Sequence, residues 1–353
     1  MSDTAMRTID LRSDTFTLPS KLMRARIAEA EVGDDYYGED PAVRRLEAHC
    51  RELSGKEAAV FCTSGMLANQ LAIASQTTPG DEIVTEQGYH VNLYESGQYA
   101  RYCQIVLNPR ETADGVLRPL DVERAIVSKP RESMYAQVAL VSLENTINSR
   151  QGKVFPYAEL ERMRAFTRER GIRLHLDGAR LWNAHVRAGI PVSAYAAQTD
   201  TLSVCFSKCL GAPLGSVLMG DEDVIERARR LRIWHGSGFH QAGICAEAAM
   251  FALTHQLSRI EEDHRLTAIL AGLLVEEPSL GVRPETVETN MIHLDFCGCS
   301  VAAERFQELC SENGILAFAV PGNRLRLVVS SRVDEADVRA AASTLCRLRR
   351  TLP

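Results

Sequence analysis

The sequence predicts an α/β fold in which a three-layer domain with a mostly parallel sheet precedes a smaller C-terminal α+β domain. Between residues 56 and 220, short β-rich runs alternate with longer amphipathic segments, which is the pattern of strands joined by crossover helices. After Gly243 a long helical stretch gives way to mixed strands and helices. We therefore predict an N-terminal segment and larger domain over 1–245 and a smaller domain over 246–353, with a soft boundary at 240–275.

Each element follows from its hydrophobic period and from the turn residues that bound it. In the larger domain, the predicted strands are 58–61, 82–85, 104–107, 138–143, 173–176 and 202–205, and the predicted helices are 67–74, 120–127 and 157–170. In the smaller domain, we predict helices over 244–274, 301–312 and 335–348 and strands over 291–296 and 324–330. Ligands of parallel sheets bind beyond the carboxyl ends of the strands, so the polar residues that follow these strands are the first candidates for a site.

Composition narrows the class of protein. The chain has 353 residues, of which 45% are hydrophobic and 24% are charged, as is typical of a globular protein. A net charge of -6 gives no reason to expect a nucleic acid or an anionic membrane as partner. No apolar run reaches the roughly 20 residues of a membrane span, and the first residues lack the apolar core of a signal peptide. We expect a cytoplasmic protein.

The ten cysteines do not indicate a disulfide scaffold, because they are scattered through a long chain and several lie inside apolar runs. We expect reduced, partly buried thiols. Cys297 and Cys299 form a close pair, but they have neither the spacing of metal ligands nor a matching second pair. No metal site is predicted.

Asp177 and Lys208 carry the strongest chemical signal. Asp177 closes the apolar run of Leu174-His-Leu-Asp-Gly-Ala-Arg180, and Lys208 follows another apolar strand, just before a glycine-rich turn. A carboxylate and a lysine in this order, each at the end of a strand, are what a protein needs to hold pyridoxal phosphate. The lysine forms a Schiff base with the cofactor, and the carboxylate pairs with the pyridine nitrogen and keeps it protonated. The residues therefore predict pyridoxal phosphate as the cofactor.

Three further features fit such a site, and each has a simpler alternative. The run Thr63-Ser-Gly-Met66 joins a strand to a helix, where free backbone N–H groups suit a phosphate, yet this arrangement is common. His90 follows the strand 82–85 and could stack on the pyridine ring and exchange a proton with the substrate; otherwise it is a surface histidine. Arg180, close after Asp177, could bind a substrate carboxylate; otherwise it is a surface arginine.

Five segments together carry a resemblance to a known family. They are Leu11-Arg-Ser-Asp-Thr-Phe-Thr17, Gly33-Asp-Asp-Tyr-Tyr-Gly-Glu-Asp-Pro41, Leu143-Glu-Asn-Thr146, His175-Leu-Asp-Gly-Ala-Arg180 and Ser207-Lys-Cys-Leu-Gly-Ala-Pro213. In this order they resemble the low-specificity L-threonine aldolases. These are fold-type I, aspartate aminotransferase-like enzymes that use pyridoxal phosphate to split β-hydroxy-α-amino acids into glycine and an aldehyde. The resemblance runs from Ile9 to about Leu253 and continues more loosely through 289–291 and 324–327.

The resemblance implies a pyridoxal-phosphate-dependent carbon–carbon lyase and assigns roles to the matching residues. The implied catalytic residues are Lys208, His90 and Asp177. The implied cofactor-binding residues are Lys208, Asp177, Ser64, Gly65, Met66, His90, Arg180, Ser207 and His240. The substrate carboxylate is implied to be bound by Ser13, Arg180 and Arg326.

Three of these roles are chemical. Lys208 is implied to be the Schiff-base lysine and Asp177 the partner of the pyridine nitrogen. His90 is implied to stack on the ring, and His90 or a water that it holds is our candidate base for the β-hydroxyl proton. Gly65 and Met66 are implied to bind the phosphate through their backbone amides.

The loop 236–243 resembles the glycine-rich segment that in this family lies near the phosphate of a neighbouring subunit. The resemblance therefore implies a homodimer or a homotetramer with shared active sites. The implied partner of the site is a small-molecule amino-acid substrate.

The chain also departs from the family pattern. Family members usually have threonine at position 66, histidine at 147, glycine at 209 and a Met-Arg pair at 239 and 240, and some have a second histidine at 134. This chain has Met66, Ile147, Cys209, Phe239, His240 and Met134. The candidate substrates are threonine, allo-threonine and phenylserine-like amino acids. We expect Met134, Ile147 and Phe239 to lie toward the β side of the substrate and to form an apolar pocket there, which favours phenylserine-like substrates over threonine.

Retro-aldol cleavage is the leading hypothesis, and two alternatives stay open. The first keeps the cofactor but changes the reaction to an aldol-type transfer in specialised amino-acid metabolism, a β-elimination or an aminotransfer. The departures at Met66, Ile147 and His240 favour it, and the products of the reaction would identify it. The second is a non-catalytic relative, against which the presence of Lys208 and Asp177 argues.

Overall fold

The computed structural model describes residues 7–130, 132, 134–298 and 300–352. Residues 1–6, which entered the signal-peptide argument, and Cys299 lie outside these ranges. The strands are β1 (Ile9–Asp10), β2 (Ala58–Cys62), β3 (Glu82–Glu86), β4 (Val106–Arg110), β5 (Val138–Glu144), β6 (Arg173–Gly178), β7 (Thr201–Cys205), β8 (Ser216–Gly220), β9 (Met291–Asp295), β10 (Ile315–Leu316), β11 (Phe318–Val320) and β12 (Arg324–Val328). The α-helices are α1 (Lys21–Ala28), α2 (Pro41–Ser54), α3 (Gly65–Ala74), α4 (His90–Leu93), α5 (Ser96–Gln98), α6 (Pro119–Val127), α7 (Tyr157–Arg170), α8 (Leu181–Ala188), α9 (Val192–Ala197), α10 (Glu222–Trp234), α11 (Gly243–His255), α12 (Arg259–Leu274), α13 (Ala303–Glu312) and α14 (Glu335–Arg350).

Seven strands form the central sheet in the order β2-β8-β7-β6-β5-β3-β4. All neighbours run parallel except β8, which is antiparallel to both β2 and β7. The register places Glu144 of β5 beside Asp177 of β6, and Asp177 beside Ser203 of β7. The mostly parallel α/β sheet that the sequence predicts is therefore confirmed.

Helices cover both faces of this sheet, which makes it the middle of three layers. Adjacent residues of β2 show the two faces, because side chains alternate along a strand. Ala59 and Phe61 pack in the main core, whereas Val60 and Cys62 pack in another cluster with apolar residues of α3 and α10. A strand that is buried on both faces reads as a continuous apolar run, which is how these strands are recognised in the sequence.

A second apolar core lies apart from the main one, in the part of the chain where the sequence predicts a smaller domain. Its antiparallel sheet has the order β11-β12-β9, and side chains of α12, α13 and α14 pack in the same core. Ile9 and Leu11 belong to this core as well, although the sequence-based division groups them with the larger domain. The physical reason is pairing: β1 lies parallel to β10, and the Leu11 carbonyl accepts a hydrogen bond from the N–H of Val328. Residues that follow Leu11 therefore lie at the seam between the domains.

The predicted single helix over 244–274 is wrong, because two helices, α11 and α12, occupy that stretch. They are separated at 256–258 and pack in different cores. Ala246 and Ala249 of α11 lie in the main core, whereas Leu266 and Leu270 of α12 lie in the smaller domain's core. One straight helix could not reach both cores, so the chain turns between them.

Two further differences concern strands. The predicted strand over 104–107 begins two residues later, at Val106, because Gln104 adopts a left-handed conformation with φ 54°. The sequence analysis does not predict β8, β10 or β11. Strand β8 matters most, since it closes the turn that carries Lys208.

Within the described ranges, no helix combines the length and the apolar character needed to cross a membrane. The expected burial of thiols is found at most cysteines. Unbridged and buried thiols occur at Cys50, Cys62, Cys103, Cys205, Cys209, Cys310 and Cys346.

Candidate active site

The carboxyl ends of β5, β6 and β7 meet at one edge of the sheet and build the floor of the site. Lys208 lies in the turn between β7 and β8, which three backbone hydrogen bonds close: Phe206 to Gly215, Gly211 to Lys208, and Ala212 to Phe206. Gly211 has φ +73° in this turn, a conformation that residues with a Cβ rarely adopt. The turn therefore returns the chain antiparallel and leaves Lys208 at the same edge as Asp177.

Asp177 is buried, with 2% of its surface exposed, and its carboxylate is fixed at both oxygens. Oδ1 accepts a hydrogen bond from the Ala179 N–H at 2.9 Å, and Oδ2 accepts one from Asn69 Nδ2 at 2.8 Å. Among the described residues, these partners are neutral donors and none is a cation. A buried carboxylate without a cationic partner is costly, so its surroundings fit a positively charged group such as a protonated pyridine nitrogen.

Asn69 ties this carboxylate to the rest of the larger domain. Its Oδ1 accepts a hydrogen bond from Ser203 Oγ at 3.0 Å and lies 3.2 Å from His175 Nε2. Burial lowers the pKa of His175 to about 4, so this histidine is neutral and serves as a hydrogen-bonding spacer. The amide of Asn69 thus has a fixed orientation, with its NH₂ group directed to Asp177.

The start of α3 forms a candidate phosphate site. Ser64 caps the helix, its Oγ accepting from the N–H of Leu67 at 3.2 Å. Within the described part of the chain, the N–H groups of Gly65 and Met66 donate to no protein acceptor, as expected in a first helical turn. Gly65 is required here, since a Cβ would lie 2.6 Å from Cys205 Sγ. Free N–H groups at a helix start suit an anion.

His90 begins α4 directly after β3 and lies between two buried carboxylates. Its backbone N–H donates to Glu144 Oε2 at 2.5 Å, and its Nδ1 lies 2.6 Å from Glu95 Oε1. Because a carboxylate can only accept, Nδ1 carries the proton, and Nε2 has no hydrogen-bond partner in the described part of the chain. The ring also packs against Tyr94, with 4.7 Å between the ring centroids.

Glu95 connects His90 to Asp177. Its carboxylate is buried and accepts from Tyr99 Oη at 2.5 Å, from Gln98 Nε2 at 3.1 Å and from Asn69 Nδ2 at 3.2 Å. Burial alone would lower the pKa of His90, but the hydrogen bond to Glu95 and the charges of Asp177 and Glu95 raise it above its ordinary value. Protonation of His90 is therefore set by this network.

Glu144 contributes to the same electrostatic environment. Burial and the neighbouring charge of Asp177 raise its pKa to about 7, although hydrogen bonds from the N–H groups of His90 and Asn148 favour the charged form. These two N–H bonds to one carboxylate position the start of α4 and the loop after β5 relative to each other.

Arg180 and Arg326 converge at the seam between the domains. Arg180 forms a buried two-pronged ion pair with Asp14, with Nε–Oδ2 at 2.8 Å and Nη2–Oδ1 at 2.6 Å. Arg180 Nη1 lies 3.4 Å and Arg326 Nη1 lies 3.1 Å from the same atom, Asn148 Oδ1.

Among the described residues, only one of these two guanidinium groups, that of Arg180, has a carboxylate partner. The described partners of Arg326 are Asn148 Oδ1 and the Arg12 carbonyl, and its buried Nε has no acceptor. Burial and the neighbouring Arg180 charge lower the pKa of Arg326. The buried Ser13 precedes Asp14 at this point. We call Ser13, Arg180 and Arg326 the carboxylate grip, because a second carboxylate would complete the charge balance.

The structure does not join every predicted site residue to this cluster. Ser207 is half-buried beside Lys208. His240 pairs with Asp34 of the same chain, Nδ1–Oδ2 at 2.8 Å, and its side chain is 65% exposed. Its loop nevertheless begins beside the phosphate turn, since Ser237 Oγ lies 3.4 Å from Thr63 Oγ1.

The expected apolar pocket is wrong for a single chain. Met134 is 76% exposed and precedes β5, so it lies at the amino edge of the sheet, opposite the edge of Asp177. Ile147 is completely buried in the main core and does not line an open space. Phe239 is half-exposed on the loop 236–243.

Five residues of the cluster are given no role in the sequence analysis: Asp14, Asn69, Glu95, Glu144 and Asn148. Asp14 and Glu144 belong to segments that carry the resemblance, and Asn148 follows one of them, so the resemblance could have pointed to these three. Among the described residues, no group of three or more His, Cys, Asp or Glu side chains could hold a metal ion.

Comparison with known proteins supplies an independent view of the chain. Residues 10–297 match the family model described as Beta-eliminating lyase. Low-specificity L-threonine aldolase 1 of Arabidopsis thaliana is 35% identical over 336 residues, which is 94% of each chain. The low specificity L-threonine aldolase of Escherichia coli (strain K12) is 43% identical over 279 residues, 79% of this chain and 82% of that protein. A putative L-allo-threonine aldolase of Listeria monocytogenes shares the fold, with a TM-score of 0.80 at 20% identity over 97% of both chains.

Proposed function

The chain belongs to the beta-eliminating lyase family, among the low-specificity L-threonine aldolases, and we propose that it cleaves L-β-hydroxy-α-amino acids to glycine and an aldehyde. It is a pyridoxal-phosphate-dependent lyase. One observation carries the assignment of the site: the buried carboxylate of Asp177, which lacks a cationic partner among the described residues, shares a sheet edge with Lys208.

The residues present fit the cofactor. Lys208 would hold it covalently, Asp177 would pair with its ring nitrogen, and the free N–H groups of Gly65 and Met66 would bind its phosphate, with Ser64 capping that turn. His90 would face the ring. When bound, pyridoxal phosphate accepts the electron pair that is released when a bond to the substrate Cα breaks.

Asp177 supports that chemistry by keeping a proton on the ring nitrogen. Its own orientation is fixed by Asn69 and by the N–H of Ala179, so the charge is held in one place before the ligand arrives. Such preorganised charges stabilise a transition state without reorganisation during the reaction.

The carboxylate grip orients the substrate. Arg326 has a buried Nε without an acceptor, and Arg180 is held rigidly by Asp14, so a substrate carboxylate would be bound from two sides. Fixing this carboxylate also fixes the direction of the Cα–Cβ bond relative to the rest of the site. The reaction is faster because the bond to be cleaved is already oriented when the substrate binds.

We propose that His90 is the base. Because Nδ1 donates to Glu95, Nε2 is free to accept the β-hydroxyl proton, directly or through a water. As that proton leaves, the C–O bond becomes the C=O of the aldehyde and the Cα–Cβ bond breaks. The electron pair of that bond is left at Cα of the glycine fragment, where the bound cofactor would delocalise it, and a proton taken up from solvent at Cα completes glycine.

We propose that two or four copies assemble and share active sites, in the cytoplasm. Exposed aromatic side chains on and beside the loop 236–243 support assembly there, namely Trp234, Phe239 and Tyr37. The buried, unbridged thiols support a reducing compartment. We further propose that the two cores correspond to two domains with a boundary near residue 245.

The test is product analysis with purified holoenzyme. Threonine, allo-threonine and phenylserine should each yield glycine and an aldehyde in equal amounts. Borohydride reduction should attach the cofactor to the peptide that contains Lys208. Ammonia and a keto acid in place of glycine would indicate β-elimination and would overturn the proposal, and label on another lysine would overturn the role of Lys208.

A further inference from the structure

A cavity of 220 Å³ opens beside the carboxylate grip. Arg326 of the grip lines this cavity, together with Asn148, whose Oδ1 lies near both guanidinium groups, and Tyr94, which packs against the His90 ring. The cavity therefore begins between the candidate base and the group that binds the carboxylate. It is smaller than the roughly 300 Å³ at which pockets for whole drug-sized ligands begin, so its size suits a side chain of the substrate.

Three arginines line this cavity without a carboxylate partner among the described residues: Arg150, Arg324 and Arg326. Arg150 Nη2 donates to the Thr112 carbonyl at 3.0 Å, and its buried Nε has no acceptor. Arg324 donates to the Pro321 carbonyl from Nε at 3.2 Å and from Nη2 at 3.0 Å. Carbonyl groups fix these side chains in position but leave their charges uncompensated.

His293 adds a further polar group to the lining that has no hydrogen-bond partner among the described residues. It is 9% exposed, lines the same cavity, and its buried Nε2 has no partner. Burial, together with the charges of Arg324, Arg326 and Arg150, lowers its pKa to about 3, so it is neutral and available as a hydrogen-bonding group.

Two glutamates also line the cavity, and neither forms an ion pair with the three arginines among the described residues. Glu86 is buried, and both of its oxygens are occupied: Oε2 accepts from the N–H of Gly88, and Oε1 accepts from the N–H and the hydroxyl of Thr112. Glu111 is exposed and makes no ion pair with these arginines among the described residues. Three arginines and two glutamates leave the lining with one excess positive charge, which the α-carboxylate at Arg326 would balance. What remains for a further carboxylate is the set of guanidinium donors of Arg150 and Arg324 that reach no acceptor among the described residues, such as the buried Nε of Arg150.

We propose that this cavity binds a second acidic group on the substrate side chain, so that the preferred substrates are β-hydroxy-α-amino acids whose side chain ends in a carboxylate. This rests on the proposed aldolase function and specifies its substrate class. Cleavage then leaves the side-chain carboxylate on the aldehyde product and the α-carboxylate on glycine. Arg324 and Arg150 recognise that terminal carboxylate, while Arg180 and Arg326 hold the α-carboxylate.

The test compares two substrates of equal length in the holoenzyme. 2-Amino-3-hydroxyadipate ends in a carboxylate, and 2-amino-3-hydroxyhexanoate ends in a methyl group. We expect kcat/KM for glycine release to favour the acidic substrate by at least about tenfold, since hydrogen bonds to charged groups are of that strength. In Arg324→Gln and Arg150→Gln, the acidic substrate should lose about that factor while the neutral one changes less than twofold.

A control and a binding measurement make the result decisive. Arg162→Gln alters an exposed arginine on α7 that pairs with Glu159, so it should leave both substrates unaffected. Binding of α-aminoadipate and norleucine, which lack the β-hydroxyl, is followed by the absorbance of the bound cofactor. The ratio of the Kd of norleucine to the Kd of α-aminoadipate measures the preference of the cavity for a carboxylate. If no β-hydroxy-amino acid gives glycine, the aldolase proposal fails, but this ratio still tests whether the cavity binds an acidic side chain. Equal or tighter binding of norleucine, or a ratio that Arg324→Gln leaves unchanged, overturns the inference.

Discussion

Glu95 Oε1 lies 2.6 Å from His90 Nδ1, and this contact sets both the orientation and the protonation of the candidate base. The same carboxylate accepts from Asn69, which also donates to Asp177. The buried amide of Asn69 therefore connects the carboxylate that orients the candidate base to the carboxylate that would pair with the cofactor's ring nitrogen. A change at Glu95 should act on His90 without touching the substrate.

The first prediction is that Glu95→Gln shifts the pH dependence of kcat/KM. His90 must be neutral to act as base, so activity falls as the pH drops through its pKa. Glu95 raises that pKa, so its removal should lower it and move the acid limb to lower pH. Plateau turnover should fall by about tenfold, as is usual when a partner that orients a catalytic histidine is lost. Gln98→Ala removes a hydrogen-bond donor to the same carboxylate but keeps its charge, so the midpoint of the acid limb should stay at the wild-type pH. An unshifted acid limb in Glu95→Gln would remove His90 as the titrating base.

The second prediction concerns Asp14, the buried partner of Arg180. Asp14→Asn leaves two guanidinium groups at the seam with no carboxylate, which should lower the free energy of unfolding by about 3–5 kcal/mol. Asp14→Asn combined with Arg180→Met should recover part of that loss, because the uncompensated charge is gone. Denaturant unfolding of the three proteins without substrate measures both effects, and equal losses in the single and double variants would contradict the argument.

Acid stability offers a third, independent measurement on Asp14. Burial raises its pKa, but the Arg180 charge and hydrogen bonds prevail and lower it. A carboxyl whose folded pKa is depressed stabilises the protein above its unfolded value of about 3.9, and the stabilisation is lost as the pH falls through the folded value. Wild-type stability should therefore decline more steeply than that of Asp14→Asn below about pH 4. Parallel curves would show that Asp14 does not titrate with unfolding.

Assembly gives the fourth prediction. If the loop 236–243 lies at a subunit interface, light scattering should show at least a dimer, and Trp234→Ser should weaken it and release cofactor on dilution, because buried aromatic residues dominate interfaces. Leu120→Ser, at another exposed apolar position, on α6, serves as the control and should leave assembly unchanged. A fully active monomer of the unaltered protein would refute shared sites.

The sequence could predict those parts of the site that local patterns mark. Asp177 and Lys208 each close an apolar run, and such a run ends where a parallel strand ends, so both fall at the ligand-binding edge. Asn69 and Asp14 reach their partners across 108 and 166 residues of chain, and no local pattern encodes such a pairing. The prediction that Met134 lines the substrate pocket was wrong, because matching a residue to a family position does not reveal at which edge of the sheet that residue lies.

The last prediction isolates the charge of Asp177. In Asp177→Asn the shape is kept, but the side chain loses its charge, and its new NH₂ group must face either the Ala179 N–H or Asn69 Nδ2, which are both donors. A charge-assisted hydrogen bond contributes roughly 1.5–3 kcal/mol, so cofactor affinity should fall by about one to two orders of magnitude. Turnover at saturating cofactor should fall further, because a ring nitrogen that is not held protonated accepts electrons poorly.

Asn69→Ala provides the matched comparison. It removes one hydrogen bond to the Asp177 carboxylate without removing its charge, so it should weaken cofactor binding less and keep more turnover. Cofactor titration by absorbance and kcat at saturation measure the two effects separately. Near-native turnover in Asp177→Asn would show that the buried charge does not support the chemistry.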